Sequence, residues 1–240
     1  MKKYLKAEYV TNGKLPAIQA KLAEYAASDK WGSNRSCFGC LLCFLGFFVL
    51  GPIAPIIGIL VFLYYNRYDT EDRRYQLPTQ LLQALSGQLD PQKDMLLRVD
   101  FRESLADPFI TAKSDSPPKM KEYSHNWLEL QMYTRRGQRL CVKITRVGRE
   151  VVRGSGKGET KEHSYAEVAA MSVENFDRGS REAIRLALPD SVKFTRLLGG
   201  TTGAAVAMQG VGAQQGAGGG GIAAFDGTDL AAFFEFALKQ

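Results

Sequence analysis

Few residues in this chain have the types and spacing that chemistry needs. Cys37, Cys40 and Cys43 form a C-x-x-C-x-x-C run, the spacing with which bacterial ferredoxins hold an iron–sulfur cluster. Phe47 stands where the fourth cysteine would fall, and thiolates in so apolar a stretch would have no compensating charge. The three are therefore read as small apolar side chains on one helix face, with S-acylation at a membrane boundary as the alternative. Cys141 stands alone in a strand pattern and reads as a small hydrophobe, so no disulfide framework is implied. His125 and His163 are the two histidines, and neither has a Cys or His neighbour at metal-ligand spacing. Gly154-Ser155-Gly156-Lys157-Gly158 has the composition of a phosphate cradle but not its G-x-x-x-x-G-K-[ST] order, and it reads as a hairpin tip. No G-x-S-x-G elbow occurs, and Glu71-Asp72 reads as a solvated acidic pair. Catalytic, metal and cofactor sites are all expected to be none.

The stretch that must organise the rest is Cys37–Tyr65, 29 residues without a charge. Eighteen or more such residues predict a membrane span. Its middle reads Gly51-Pro52-Ile53-Ala54-Pro55, and the two prolines cannot donate to Phe48 and Gly51, so the chain bends at Gly51, Pro52 and Pro55. Two geometries follow: one kinked helix crossing from Leu41 to Tyr65, which is preferred because its length fits, or a re-entrant hairpin with arms Cys37–Leu50 and Ile56–Tyr65, neither long enough to cross. Lys21, Lys30 and Arg35 upstream balance Arg67, Arg73 and Arg74 downstream, so orientation is undetermined, and this tie favours the hairpin. Gly39, Gly46, Gly51, Ala54 and Gly58 recur at spacings that let helices approach closely.

Around this stretch the chain divides into four parts: 1–36, an amphipathic helix on Leu15, Ile18, Leu22 and Tyr25 followed by the polar connector Ser28–Ser36; 37–65, the membrane segment; 66–94, a charged tether and a short helix on Leu81, Leu82, Leu85 and Leu89; and 95–240, a β-rich domain. Leu97, Val99 and Phe101 alternate as a strand, and Ala106–Ser124 reads as a proline-bearing loop with a short strand at Phe109–Lys113. Trp127–Tyr133 and Arg139–Val147 form a β-hairpin turning at Gly137. Glu162–Glu174 is ambiguous between helix and strand, and Glu182–Leu188 reads as a strand. Leu197–Phe225 is again uncharged, but its glycines, with Gln209, Gln214 and Gln215, make it too polar and flexible for a membrane helix. It reads as a flexible loop over 199–221, or as an assembly segment through Gly212, Gly216 and Gly220 at four-residue spacing. Residues 229–239 form a closing helix with Leu230, Phe233, Phe234, Ala237 and Leu238 on one face. The fold class expected is α+β: a membrane-anchored, mainly antiparallel β domain closed by a C-terminal helix.

The run Asn126-Trp127-Leu128-Glu129-Leu130, then Arg136-Gly137-Gln138-Arg139-Leu140, Lys143-Ile144-Thr145 and Lys157-Gly158-Glu159-Thr160-Lys161, resembles a pattern in uncharacterised bacterial membrane-anchored β-domain proteins and brings no activity with it. Strands followed by one apolar C-terminal helix are similar in order to pleckstrin-homology-like domains, from which the glycine-rich insertion departs.

Of the 31 basic and 25 acidic residues, seven and three fall in residues 1–36, so the excess lies just before the apolar stretch and suits anionic lipid better than nucleic acid. The expected partners are membrane lipid and a protein or further copies of this chain as a homo-oligomer, with no nucleic acid. The expected location is integral to a membrane, with the remaining domain on the cytoplasmic side. The function expected is a membrane-tethered interaction or scaffold module, and the rival is membrane remodelling by a re-entrant wedge. An enzyme with a site assembled from distant segments ranks below both.

Overall fold

The computed structural model describes residues 6–50, 53–66, 70–154, 159–174, 193–200 and 203–215, with 227, 228, 230, 231, 234 and 235 of the C-terminal segment. Its elements are β1 (Glu8–Gly13), α1 (Leu15–Leu50), α2 (Ile53–Asn66), α3 (Arg73–Leu85), β2 (Met95–Asp100), β3 (Ile110–Ser114), β4 (Lys119–Tyr133), β5 (Arg139–Arg153), β6 (Thr160–Glu174), β7 (Lys193–Gly200) and β8 (Gly203–Gln215), with a 3₁₀ turn at Asp107–Phe109. The protein is α+β, as its pattern predicts. Eight strands form one antiparallel sheet in the order β1-β2-β4-β5-β6-β8-β7, and β3 pairs with the outer half of β4.

The core is the face on which helices meet this sheet. Leu15, Ile18, Leu22 and Tyr25 of α1 and Leu77, Leu81, Leu82 and Leu85 of α3 bury against Leu97 and Val99 of β2, Leu128, Leu130 and Met132 of β4, and Leu140, Val142 and Ile144 of β5. Leu230, Ala231 and Phe234 of the C-terminal segment join the same cluster, while Phe233, Ala237 and Leu238 of the face expected there lie outside the described residues. Burying a side chain of this size contributes about 1.5–3 kcal/mol.

The amphipathic start of α1 does not end in a connector. The helix runs unbroken for 36 residues, because one buried stripe runs nearly its whole length at alternating spacings of three and four: Leu15, Ile18, Leu22, Tyr25, Asp29, Gly32, Ser36, Gly39 and Cys43, of which all but the half-buried Cys43 are buried. What changes along the stripe is size. Large side chains meet the sheet, and small ones meet α2.

The chain reverses between Leu50 and Ile53, and α2 returns antiparallel along α1. Trp31 meets Tyr65 at 4.9 Å between ring centroids, and the Cys43 thiol donates to the carbonyl of Pro55 at 3.5 Å. A single kinked helix crossing from Leu41 to Tyr65 is therefore corrected to a helical hairpin. Among the described residues no helix is long and apolar enough to cross a membrane. The 14 residues of α2 and the uncharged end of α1 each reach only about 21 Å, against about 30 Å of hydrocarbon.

Other expectations change in the same way. The helix expected to open at Pro78-Thr79 and to stop before Asp90 begins earlier, at Arg73, carries Pro78 within it and ends at Leu85. Lys119–Ser124 is not loop but the first part of β4. Thr160–Glu174 is a strand paired along its whole length with β5. Gly203–Gln215, read as flexible loop, is a strand paired with β6; Val206, Met208 and Val211 lie in this half, whereas the densest glycines lie at 216–221. The strand at 182–188, residues 155–158 of the glycine tip and the far part of the uncharged stretch, 216–226, lie outside the described residues.

Candidate functional site

The hairpin of α1 and α2 is the feature that ordinary folding does not account for. Of the eleven large hydrophobic side chains exposed among the described residues, nine belong to it, and only Val10 and Val147 lie elsewhere. Phe38, Leu41, Ile53, Ile56, Leu60 and Leu63 are each 51–62% exposed. Water does not tolerate so continuous an apolar surface without a partner.

The hairpin is closed on itself by its small residues. A Cβ on Gly39 would lie 2.7 Å from the amide nitrogen of Phe62 and 2.9 Å from the carbonyl oxygen of Gly58. A Cβ on Gly58 would lie 2.8 Å from the nitrogen of Cys43 and from the carbonyl oxygen of Gly39. The two glycines face each other, so close approach expected between separate helices is used within one chain. The cysteines separate in the same way: Cys37 and Cys40 are exposed, whereas Cys43 turns into the seam toward Pro55. Pro55 lies inside α2; Gly51 and Pro52 lie outside the described residues.

Two polar networks fix the root of the hairpin, one to the segment that opens α3 and one to the sheet. On α1, buried Asp29 accepts hydrogen bonds from the backbone N–H and hydroxyl of Thr70, the latter at 3.0 Å. The Tyr75 hydroxyl lies 2.7 Å from Asp72 and 3.1 Å from Asp29 and bridges them. Burial raises the Asp29 carboxyl above its ordinary value, with Asp72 adding to the rise and Thr70 opposing it. On the returning chain, Arg146 of β5 donates to Glu71 at 2.6 Å and to Glu167 of β6 at 2.7 Å. Arg73 pairs with Glu167 at 2.9 Å. Arg74, almost wholly buried, reaches Glu71 at 3.1 Å and donates to the carbonyls of Asp100 and Arg102. Burial works to raise the Glu71 carboxyl, but Arg146 and Arg74 together outweigh it and hold it below its ordinary value.

Beside this root lies a serine–histidine–aspartate trio that no sequence motif announces. A bulge in β4 between Asn126 and Leu128 switches the inward-facing residues from Leu128, Leu130 and Met132 to His125 and Tyr123, so His125 pairs with Arg146. Ser104 Oγ lies 3.1 Å from His125 Nδ1. Asp100 Oδ2 lies 3.3 Å from His125 Nε2, too poorly aligned for a hydrogen bond. Burial lowers the pKa of His125 and keeps it neutral, against the pull of Asp100. Burial acts to raise Asp100, but Arg102, which donates to it through its guanidinium and its backbone N–H, holds the carboxyl well below the usual range. The residue types are those of a base-activated hydroxyl. The access is not: His125 is fully buried, Ser104 is buried, and Phe109 stacks on the imidazole at 3.8 Å. The trio fills the end of the core. His163 pairs with Glu150 at 3.1 Å on the outer part of the sheet, a separate place.

Among the described residues no group of His, Cys, Asp and Glu could hold a metal ion. A groove of about 510 Å³ runs between α1 and α3, lined by Gln19, Leu22, Tyr75, Gln76 and Gln83 among others. Gly212, singled out for assembly, lies in β8 opposite Tyr165; Gly216 and Gly220 lie outside the described residues. No family, no curated protein and no solved structure matches this chain.

Proposed function

We propose that this protein is a non-enzymatic membrane-surface module that seats its α1–α2 hairpin as a wedge in one leaflet and presents its sheet to a protein partner. The observation that carries the reading is the hairpin itself: among the described residues it bears nine exposed large apolar side chains on two arms too short to cross, with the Gly39–Gly58 seam turned inward. Lipid is the partner that can cover all of that outer surface at once. Both roots, near Asp29 and Thr70, then remain on one side, which accounts for the balanced charge flanking the stretch.

The reading of a scaffold and that of a wedge meet in one arrangement. Inserting two helices into one leaflet adds area to that leaflet alone, so the seat also biases curvature. The test is sidedness. In a chain freed of its native cysteines, single cysteines replacing Lys30 and Lys93 should be labelled together, or protected together, by an impermeant thiol reagent applied to sealed membranes. Labelling of one and protection of the other places the two roots on opposite sides and ends the proposal.

A further inference from the structure

We propose that Arg35, held between Trp31 and Tyr65 at the base of the hairpin, grips the phosphate of an anionic phospholipid headgroup; the inference rests on the hairpin being seated in a leaflet. Arg35 is the last charge on α1 before the uncharged stretch, and Tyr65 is the last residue of that stretch on the returning arm. The guanidinium carbon lies 5.0 Å from the centroid of the Trp31 ring and 5.6 Å from that of Tyr65, and one terminal nitrogen lies 3.5 Å from the Tyr65 hydroxyl. The two rings come from different helices and pack edge to face, so closure of the hairpin builds the holder.

The neighbouring arginines mark the contrast. Arg73, Arg74, Arg98, Arg102 and Arg146 each face a carboxylate. Arg35 is exposed and faces none among the described residues. Contact with the rings leaves the donors other than the one that reaches Tyr65 free, and two of these fit two phosphate oxygens. Depth points the same way. Tryptophan and tyrosine favour the headgroup layer, and Phe38, one turn further along α1, is exposed where acyl chains would begin. A cation that faces no carboxylate among the described residues, pre-positioned by aromatic rings at that level, fits a lipid phosphate.

The experiment compares full-length protein on vesicles of phosphatidylcholine with vesicles that also contain phosphatidylglycerol. A fluorophore on a cysteine replacing Leu60, in a chain freed of its native cysteines, reports insertion independently. The wild-type residue should favour the anionic vesicles, and Arg35→Gln should cut that preference about fivefold. Arg35→Lys should lose a measurable part of it, since lysine keeps the charge that anionic lipid attracts but neither stacks as a plane nor offers a fork. In both variants the Leu60 probe should still shift on phosphatidylcholine, showing an intact seat. Arg35→Lys behaving as wild type, or Arg35→Gln keeping the preference, overturns the grip while leaving the wedge. A probe that shifts on neither vesicle in the wild-type background removes the wedge and the grip with it.

Discussion

Replacing Gly58 with alanine is the sharpest perturbation of the hairpin, because behind the Cys43 thiol, which the added methyl meets first, the atoms in the way are backbone. The added methyl would sit 2.8 Å from the nitrogen of Cys43 and the carbonyl oxygen of Gly39, whereas carbon contacts settle near 3.5–4.0 Å. Neither obstacle can rotate aside, so the arms must part by roughly 1 Å. Overpacking of this kind costs about 1–3 kcal/mol. The seam also carries its own reporter. Cys43 is half-buried and bonded to Pro55, while Cys37 and Cys40 are exposed. With Cys43 as the single cysteine, its reaction with a maleimide requires the seam to open, and destabilising the closed state by that amount should speed it about five- to a hundredfold. Gly39→Ala should act alike, since its methyl meets the backbone of Phe62. Gly87 has nothing within 4 Å of an added methyl, so Gly87→Ala is the control. Labelling of Cys43 at the wild-type rate in both seam variants would refute the closed hairpin.

The root networks make further predictions. Arg146→Met leaves Glu71 and Glu167 short of their shared cation and should lower stability by about 2–3 kcal/mol, less than a fully buried pair because Glu71 is partly solvated; urea denaturation measures it, and a loss under about 0.5 kcal/mol would place the cluster among inert surface pairs. Acid should act in two stages. His125 titrates lower in the folded chain than in the unfolded one, so stability should decline as pH falls below about 6.5, and His125→Gln should flatten that limb. Asp100 and Glu71 are depressed, so their contribution is complete above about pH 4.5 and is lost as pH falls further through their folded values; Asp100→Asn should remove much of this second limb, as urea midpoints across pH would report.

How much of this was legible in the sequence depends on which side chains carry the signal. The β4–β5 turn, the alternation of Leu97, Val99 and Phe101, and the apolar face at Leu230 and Phe234 were readable because large side chains mark the buried face. The unbroken α1 was not, because its stripe passes from Leu22 and Tyr25 to Gly32, Ser36 and Gly39, which look polar or neutral while keeping the same spacing. A search for the period alone, blind to size, would have found it. The trio around His125 was hidden for another reason. Tyr123, His125 and Trp127 alternate on odd positions and Leu128, Leu130 and Met132 on even ones, and that break in parity is the visible trace of the bulge. Which distant residue meets His125 is decided by the β2–β4 register, which no local pattern encodes. The reversal between α1 and α2 is legible in the sequence only as one of two alternatives, since length alone cannot distinguish one bent helix from two short ones.

The continuous stripe of α1 has a mechanical consequence for how the sheet would face a membrane. Lys14 meets Gln92 just before β2, and Tyr25 meets Phe101 just after it at 5.2 Å, so α1 runs alongside β2 in the same direction. β4 is antiparallel to β2, which sends its Lys119 end the same way as the hairpin. From His125 to Lys119 the strand covers about 20 Å beyond the core, and the opposite end at Tyr133 lies about 45 Å from Lys119. The root bonds at Asp29, Glu71 and Arg146 leave no hinge between the helix that would be seated and the sheet it carries. Seating the hairpin should therefore orient the sheet, bringing the Lys119 end near the headgroups and holding the β4–β5 turn at Arg136 away from them. Energy transfer to a membrane dye, from probes on cysteines replacing Lys119 or Arg136, should be strong for the first and weak for the second. Equal transfer from both would mean that the sheet turns freely on its anchor and that the root networks serve stability alone.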